Sequence, residues 1–401
     1  MKIRVKAPLL LMTLLLPVMA NAQSVISSIN KEWTYQHALS GFAGQTSEIS
    51  AFDEATNTIW VAGAVGVDVL NLNDGSLLQH INTSSFGSIN SIAIKNGVAA
   101  FAIESTTRTN PGIVQFYNTN TRALTSGVNT LTVGALPDML TFTPDGTKLL
   151  VANEGTPSTY GARIGTSVPR VYGAPALDPV GSVSVIDMSS RTVVATPTFA
   201  GVPMTGSNIR TNTGMDFEPE YIAVNAAGTK AYVTLQEANA IGVLNLQTNS
   251  FEQVVGLGVK DFSLPGNQID PLNNGTISFI SANVKGLYMP DGIAAYQAGG
   301  NTYLVMANEG DFREDDGDRS AASTLGGVAP LNNLRISNTD SSPGDLYAAG
   351  ARSFSIRDEN GNIVFDSGDF LDKKAAELGI YDDARSRDKG VEPEGGQFDR
   401  Y

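Results

Sequence analysis

The sequence predicts an all-β protein built from one four-stranded unit repeated around an axis, and three observations carry that prediction. The stretch LPDMLTFTPDGTKLLVANEG at residues 136–155 returns as MPDGIAAYQAGGNTYLVMANEG at residues 289–310. Shorter relatives of it recur elsewhere in the chain. Helical periodicity is nearly absent from a sequence with 41 Gly and 18 Pro, residues that favour turns over helix interiors.

The repeated unit begins with a hairpin. EISAFDEATNTIWVA from Glu48, NSIAIKNGVAAFA from Asn90, DMLTFTPDGTKLLVA from Asp138, EYIAVNAAGTKAYVT from Glu220 and DGIAAYQAGGNTYLVMA from Asp291 align with one another. Each reads as a short strand, a turn containing Gly, Asn or Asp, and a second strand rich in β-branched and aromatic residues.

A second strand pair follows each hairpin: VDVLNLNDGSLLQHI, GIVQFYNTNTRALTS, GSVSVIDMSSRTVVA, AIGVLNLQTNSFEQVV and RSFSIRDENGNIVFDSG. Asn71, Asn118, Asp187, Asn245 and Asp358 precede the turns, where an Asx side chain can bond the backbone and favour reversal. The unit is therefore a four-stranded meander. Repeated meanders of about 40–50 residues predict a β-propeller with YVTN- or WD40-like blades, seven in a full ring.

The predicted organisation is a signal peptide at residues 1–22, a lead-in at 23–46 and a propeller domain at 47–401. Five blades and the start of a sixth are recognisable in it. VEPEGGQFDRY aligns with the opening of that sixth unit and stops before its hairpin turns, so a longer product is expected, with at least the remainder of blade six beyond Tyr401. LDKKAAELGI, from Leu371, is the one clear helical stretch.

Lys2, Arg4 and Lys6, the apolar run Leu9 to Leu16, and Ala20, Asn21 and Ala22 have the pattern of a secretory signal peptide with its small-residue cleavage site. No later stretch approaches the roughly 20 apolar residues of a membrane span. Export permits disulfides, yet the chain has 0 Cys, so stability must come from packing. With 40 Asp and Glu against 26 Lys and Arg, the chain repels nucleic acid and favours cationic partners.

The acids fall in register. In a propeller the innermost strand of a blade starts, and its neighbour ends, at the same rim. Asp138 and Asp291 start inner strands, and Glu154 and Glu309 follow the paired ones. Equivalent starting positions carry Glu48, Asn90, Glu220 and Glu394. Glu48, Asp138, Glu154, Glu220, Asp291, Glu309 and Glu394 are thus the candidate metal-binding residues, and hard Ca²⁺ suits such an oxygen-rich set. The competing reading is that these acids begin strands in solvated turns.

The loop EGDFREDDGDRS adds Asp311, Glu314, Asp315, Asp316 and Asp318 on that side; it lacks EF-hand spacing, so its calcium signal is weak and it reads as a solvated acidic loop. Two insertions, at about residues 155–180 and 310–350, are expected to rise over the same rim. Only His37 and His80 are present, which with no Cys excludes the usual zinc sites; both read as structural. There is no G-x-S-x-G nucleophile motif and no phosphate-binding P-loop.

The words TPDGTKLLVANEGTPS, DPVGSVSVID, EPEYIAVNAAGTKAYVTLQEANAIGVLNL, MPDGIAAYQAGGNTYLVMANEGDFRED, ARSFSIRDENGNIVFDSGD and DKGVEPEGG resemble the choice-of-anchor I family of exported bacterial propellers. That family is similar to the animal mesenchyme-specific cell surface glycoprotein, and some members carry an alkaline phosphatase label. The resemblance implies fold and an exported or surface location, with an anchor beyond the present C-terminus. It implies no particular catalytic residue. Two functions follow: a surface or periplasmic binding module with an acidic, Ca²⁺-holding face and an unidentified ligand or surface partner, or a Ca²⁺-dependent phosphoesterase of alkaline phosphatase or phytase-like type.

Overall fold

The computed structural model describes residues 31–37, 41–157, 179–211, 217–313 and 317–395. The expected signal peptide, most of the first insertion, and Glu314, Asp315 and Asp316 lie outside the described residues. All described strands belong to one unit, Tyr35–Tyr401.

The five predicted meanders are all present. The first sheet is Ser50–Asp53, Thr58–Gly63, Gly66–Asn71 and Leu77–Asn82 in chain order. The second is Ile89–Lys95, Val98–Ile103 and Pro111–Asn118, with both Ala123–Leu124 and Thr130–Ala135 pairing the third strand. Pro137–Phe142, Lys148–Asn153, Ser182–Asp187 and Thr192–Ala195 make the third sheet. The fourth is Pro219–Val224, Lys230–Leu235, Ala240–Asn245 and Ser250–Leu257, and Met204–Ser207 joins its outer edge in parallel. The fifth is Ile293–Ala298, Asn301–Asn308, Ser353–Asp358 and Ile363–Asp366.

Turn chemistry fixes the outer hairpins. The side-chain oxygen of Asn71 accepts from the Asn73 N–H, Asn118 from Asn120 and Thr121, and Asp187 from Ser189 and Ser190. Asn245 accepts from Gln247 and Thr248, and Asp358 from Asn360 and Asn362. One Asx device thus reverses the chain in every sheet.

Successive sheets are cemented face to face. Because alternate residues of a strand point to opposite faces, Phe101 and Ile103 pack with Trp60 and Val69 of the first sheet, while Ala100 and Ala102 pack with Leu140 and Leu149 of the third. Leu150 and Val185 meet Ile222 and Val233 of the fourth sheet, whose Tyr232 and Ile241 meet Leu304 and Met306 of the fifth. Strands buried on both sides need continuous apolar runs, which is why LLVA and AAFA break the polar–apolar alternation.

Between the fourth and fifth meanders the chain does more than loop. Val259–Asp261, Lys285–Leu287 and Tyr347–Ala348 form a small mixed sheet, and Arg319–Ala321 pairs with Arg335–Ser337. They enclose a core of their own around Phe262, Leu334 and Ile336. The second insertion is therefore structured. The predicted helix is Phe370–Glu377.

Candidate functional site: an acidic cavity at the strand starts

The first strands of the five sheets lie beside one another in order, so their leading ends converge. Pro137 and Pro219 open their strands, where a missing N–H breaks no ladder bond. The residues before Pro137 and Pro290 adopt left-handed backbone: Leu136 has φ 48° and Met289 φ 44°. Both are fully packed, and positive φ at non-glycine residues persists only where the surroundings hold it.

The ends of the second strands are fixed by buried amides. Asn153 accepts at Oδ1 from the Gly134 N–H at 3.0 Å and donates from Nδ2 to the hydroxyls of Ser182 and Ser184 at 3.1 and 3.0 Å. Only glycine fits at position 134, since a Cβ there would come within 2.5 Å of Asn153 Cγ. Asn308 repeats the arrangement, donating to Ser353 and accepting from Ser355. The next residues, Glu154 and Glu309, are thereby aimed at the rim.

Strand starts and strand ends enclose one cavity of about 320 Å³. Glu48, Asp138, Glu154, Glu220, Asp291, Glu309 and Glu394 all line it, as does Asn90. The structure thus brings together every candidate acid named from the repeat. Gln236, Met139 and Tyr221 complete much of the wall.

Crowded, desolvated carboxyls resist ionisation. Burial, then the charges of Glu154 and Asp291, push Asp138 well above the ordinary carboxylate range against the opposing pull of Arg108. Burial and the nearby Glu237 and Asp291 do the same to Glu220. Asp291 is raised to about 7, by burial first and then by Glu309 and Glu394; Lys389 and a hydrogen bond from Glu220 partly offset this. Burial also raises Glu309, although the Lys389 ammonium lies 2.6 Å from its Oε1 and the Gln236 amide donates to its Oε2 at 3.0 Å. One oxygen of Glu220 is buried with no hydrogen-bond partner.

Three groups at this rim escaped sequence reasoning. Lys389 bonds Glu309 and Asp311, at 2.6 and 3.3 Å; burial works against its charge, but Asp311 and Glu309 outweigh that and hold its pKa above the usual lysine value. Glu104 follows the second strand of the second sheet, the position of Glu154 in the third; extending the alignment of NSIAIKNGVAAFA by a few residues would have revealed it. Arg108 lies 3.9 Å from Glu154 Oε1. It sits in a loop of unaligned length and gave no signal.

Among the described residues, no three His, Asp or Glu side chains are drawn together tightly enough to hold a metal ion. Asp318, a further described acid of the loop EGDFREDDGDRS, is otherwise engaged. Asp318 is completely buried against Arg210 at 2.7 Å, and Arg210 also bonds Asp340. Asp318 is therefore a structural ion-pair partner, not a solvated acid. His37 and His80 each place Nδ1 on the buried Asp68, at 2.6 and 2.7 Å, with Phe42 stacked on His80.

No helix among the described residues is long and apolar enough to cross a membrane. No curated protein matches the chain. Among solved structures it is similar to a protein of unknown function from Bacteroides caccae, at 13% identity over 82% of this chain and 84% of that one, with a TM-score of 0.41. It is also similar to Kuenenia stuttgartiensis hydrazine synthase, at 16% identity and a TM-score of 0.35, covering 49% of this chain and about half, 51%, of that one. The choice-of-anchor I domain is matched over residues 48–399, nearly the whole stretch from the first strand start to the last, and the chain belongs to the choice-of-anchor I family.

Proposed function

We propose that this protein is an exported or cell-surface binding module, a propeller whose five described meanders are blades and whose acidic central mouth receives a cation, Ca²⁺ foremost. Membership of the choice-of-anchor I family supports the surface location. One observation carries the cation: seven carboxyls line a single cavity, and burial with mutual repulsion pushes several of them above the ordinary carboxylate range. Crowded carboxyls of this kind are relieved by positive charge.

Oxygen-only walls suit a hard divalent ion, and flexible Ca²⁺ coordination tolerates ligands drawn from several strands. Since the carboxyls are not gathered around one point, loading requires them to deprotonate and close in. Binding is then proton-linked, stronger at pH 8 than at pH 6. Arg108 and Lys389, the basic groups at the rim, already neutralise Glu154, Glu309 and Asp311, which favours binding over phosphoester hydrolysis.

The test is calorimetric titration of the purified protein with CaCl₂ at pH 6 and pH 8, in buffers of different ionisation enthalpy. Saturable binding with proton release is expected. Absence of heat at both pH values, with an unchanged melting curve in chelator, would falsify the cation reading. Chelator-sensitive hydrolysis of a phosphomonoester would move the assignment to the metal-dependent phosphoesterase.

A further inference from the structure

Beside the acidic cavity lies a larger one, about 570 Å³, with a different chemistry. The two share Asn90, Asp138 and Glu154. Its remaining wall combines the short hydroxyl side chains of Ser84, Ser88, Ser105 and Thr106 with Glu104 and Arg108, and Ala64, Gly87 and Leu136 supply an apolar share. Among the described residues, no aromatic ring lines it.

Three classes of ligand fit this wall poorly. Sugars and nucleobases are usually held by stacking on aromatic faces, which are missing here. Phosphates want several cationic donors, and Arg108 faces three carboxyls. Simple oligocations gain from Glu104, Asp138 and Glu154 but meet the guanidinium in the same space. A volume of this size suits a small organic molecule rather than a bare ion.

What remains is a ligand that carries both signs of charge on a short polar frame. Arg108, 43% exposed at its side chain, can present its planar donor edge to a carboxylate while staying within reach of Glu154. Glu104 and Asp138 line the same cavity as Arg108, so a ligand ammonium set between the two carboxyls would offset the cost of their burial. The hydroxyls donate or accept as needed and cover the ligand's polar remainder.

We propose that this second cavity is a binding site for a free amino acid zwitterion, with its carboxylate on Arg108 and its ammonium between Glu104 and Asp138. The site adjoins the proposed cation cavity and shares two of its carboxyls, but its existence does not rest on Ca²⁺ being the ion there.

The experiment uses the full chain in thermal-shift and calorimetric titrations with the twenty common amino acids. Ethylamine and acetate serve as single-charge controls, and each titration is run with Ca²⁺ and with chelator. Saturable binding of at least one amino acid is expected, with neither control binding. Arg108→Gln should weaken it about tenfold or more, the usual loss for a charge-assisted hydrogen bond, as should Glu104→Gln. Glu377→Gln, at the exposed end of the helix Phe370–Glu377 and outside both cavities, should leave it within about twofold. Urea unfolding of each variant shows whether it is folded. No amino acid binding in either condition overturns the proposal, as does equal binding of ethylamine or acetate, or undiminished binding by folded Arg108→Gln. Calcium heats without amino acid binding would sink this inference alone, and the reverse would sink only the cation reading.

Discussion

Glu220 and Asp291, which lead into the first strands of the fourth and fifth sheets, line one cavity, and the charge of Asp291 helps push Glu220 above the ordinary carboxylate range. Burial, then Glu309 and Glu394, raise Asp291 to about 7. Two desolvated carboxyls in one cavity resist losing both protons, so the pair titrates together.

The first prediction concerns pH. Asp291 has a folded-state pKa above its ordinary value of 3.8, so the folded chain holds a proton that the unfolded chain releases. The stabilisation is complete below the unfolded pKa and is lost as pH rises through about 7. In chelator, the melting temperature should fall between pH 5 and pH 8, by roughly 1–2 °C for each kcal/mol lost. Asp291→Asn should flatten the profile. A melting temperature that climbs over this window would contradict the protonated pair.

Under the cation proposal, Ca²⁺ should reverse that slope. At 100 times its dissociation constant, an ion bound only by the native state adds about 2.7 kcal/mol. Asp138→Asn combined with Asp291→Asn should remove most of the calcium-dependent rise in melting temperature, measured at pH 8 by calorimetry. An equal rise in the double variant would place the ion elsewhere.

Asn153→Ala should destabilise the chain by about 2–4 kcal/mol, because it strands the Gly134 N–H and leaves Ser182 and Ser184 without their amide donor. Urea unfolding measures this. A cost below about 0.5 kcal/mol would show that the strand end is held by other means.

Arg210→Met should cost about 3–5 kcal/mol, since it leaves Asp318 buried without its counter-charge. Adding Asp318→Leu should recover much of that loss, whereas failure to recover any would mean that Arg210 acts chiefly through Asp340 or its packing on Phe312.

The repeat in the sequence contained the meanders, their Asx turns and the convergence of seven acids, because all three follow from strand register and a two-residue period. Lys389 and Arg108 were not legible for a related reason: they sit where the repeats differ in length, and alignment has no purchase there, whereas Glu104 lies just past the aligned stretch, in register with Glu154. Met204–Ser207 is exposed throughout and pairs in parallel with a strand far along the chain, so it shows no local periodicity. The buried fate of Asp318 was hidden in an acidic run that looked solvated, because its partner Arg210 comes from more than a hundred residues earlier. Short-range patterns reveal elements; ion pairs between distant loops need the fold.

The construction of the mouth also separates two tasks that most proteins must solve together. Apolar side chains of facing sheets are committed to one another, whereas the acids gather in the cavity and none is a member of an inter-sheet core. Charge in the cavity can therefore be edited one sheet at a time, as Asn90 already stands where the other sheets carry an acid. A lineage sharing this scaffold is free to retune what it holds without renegotiating how it folds.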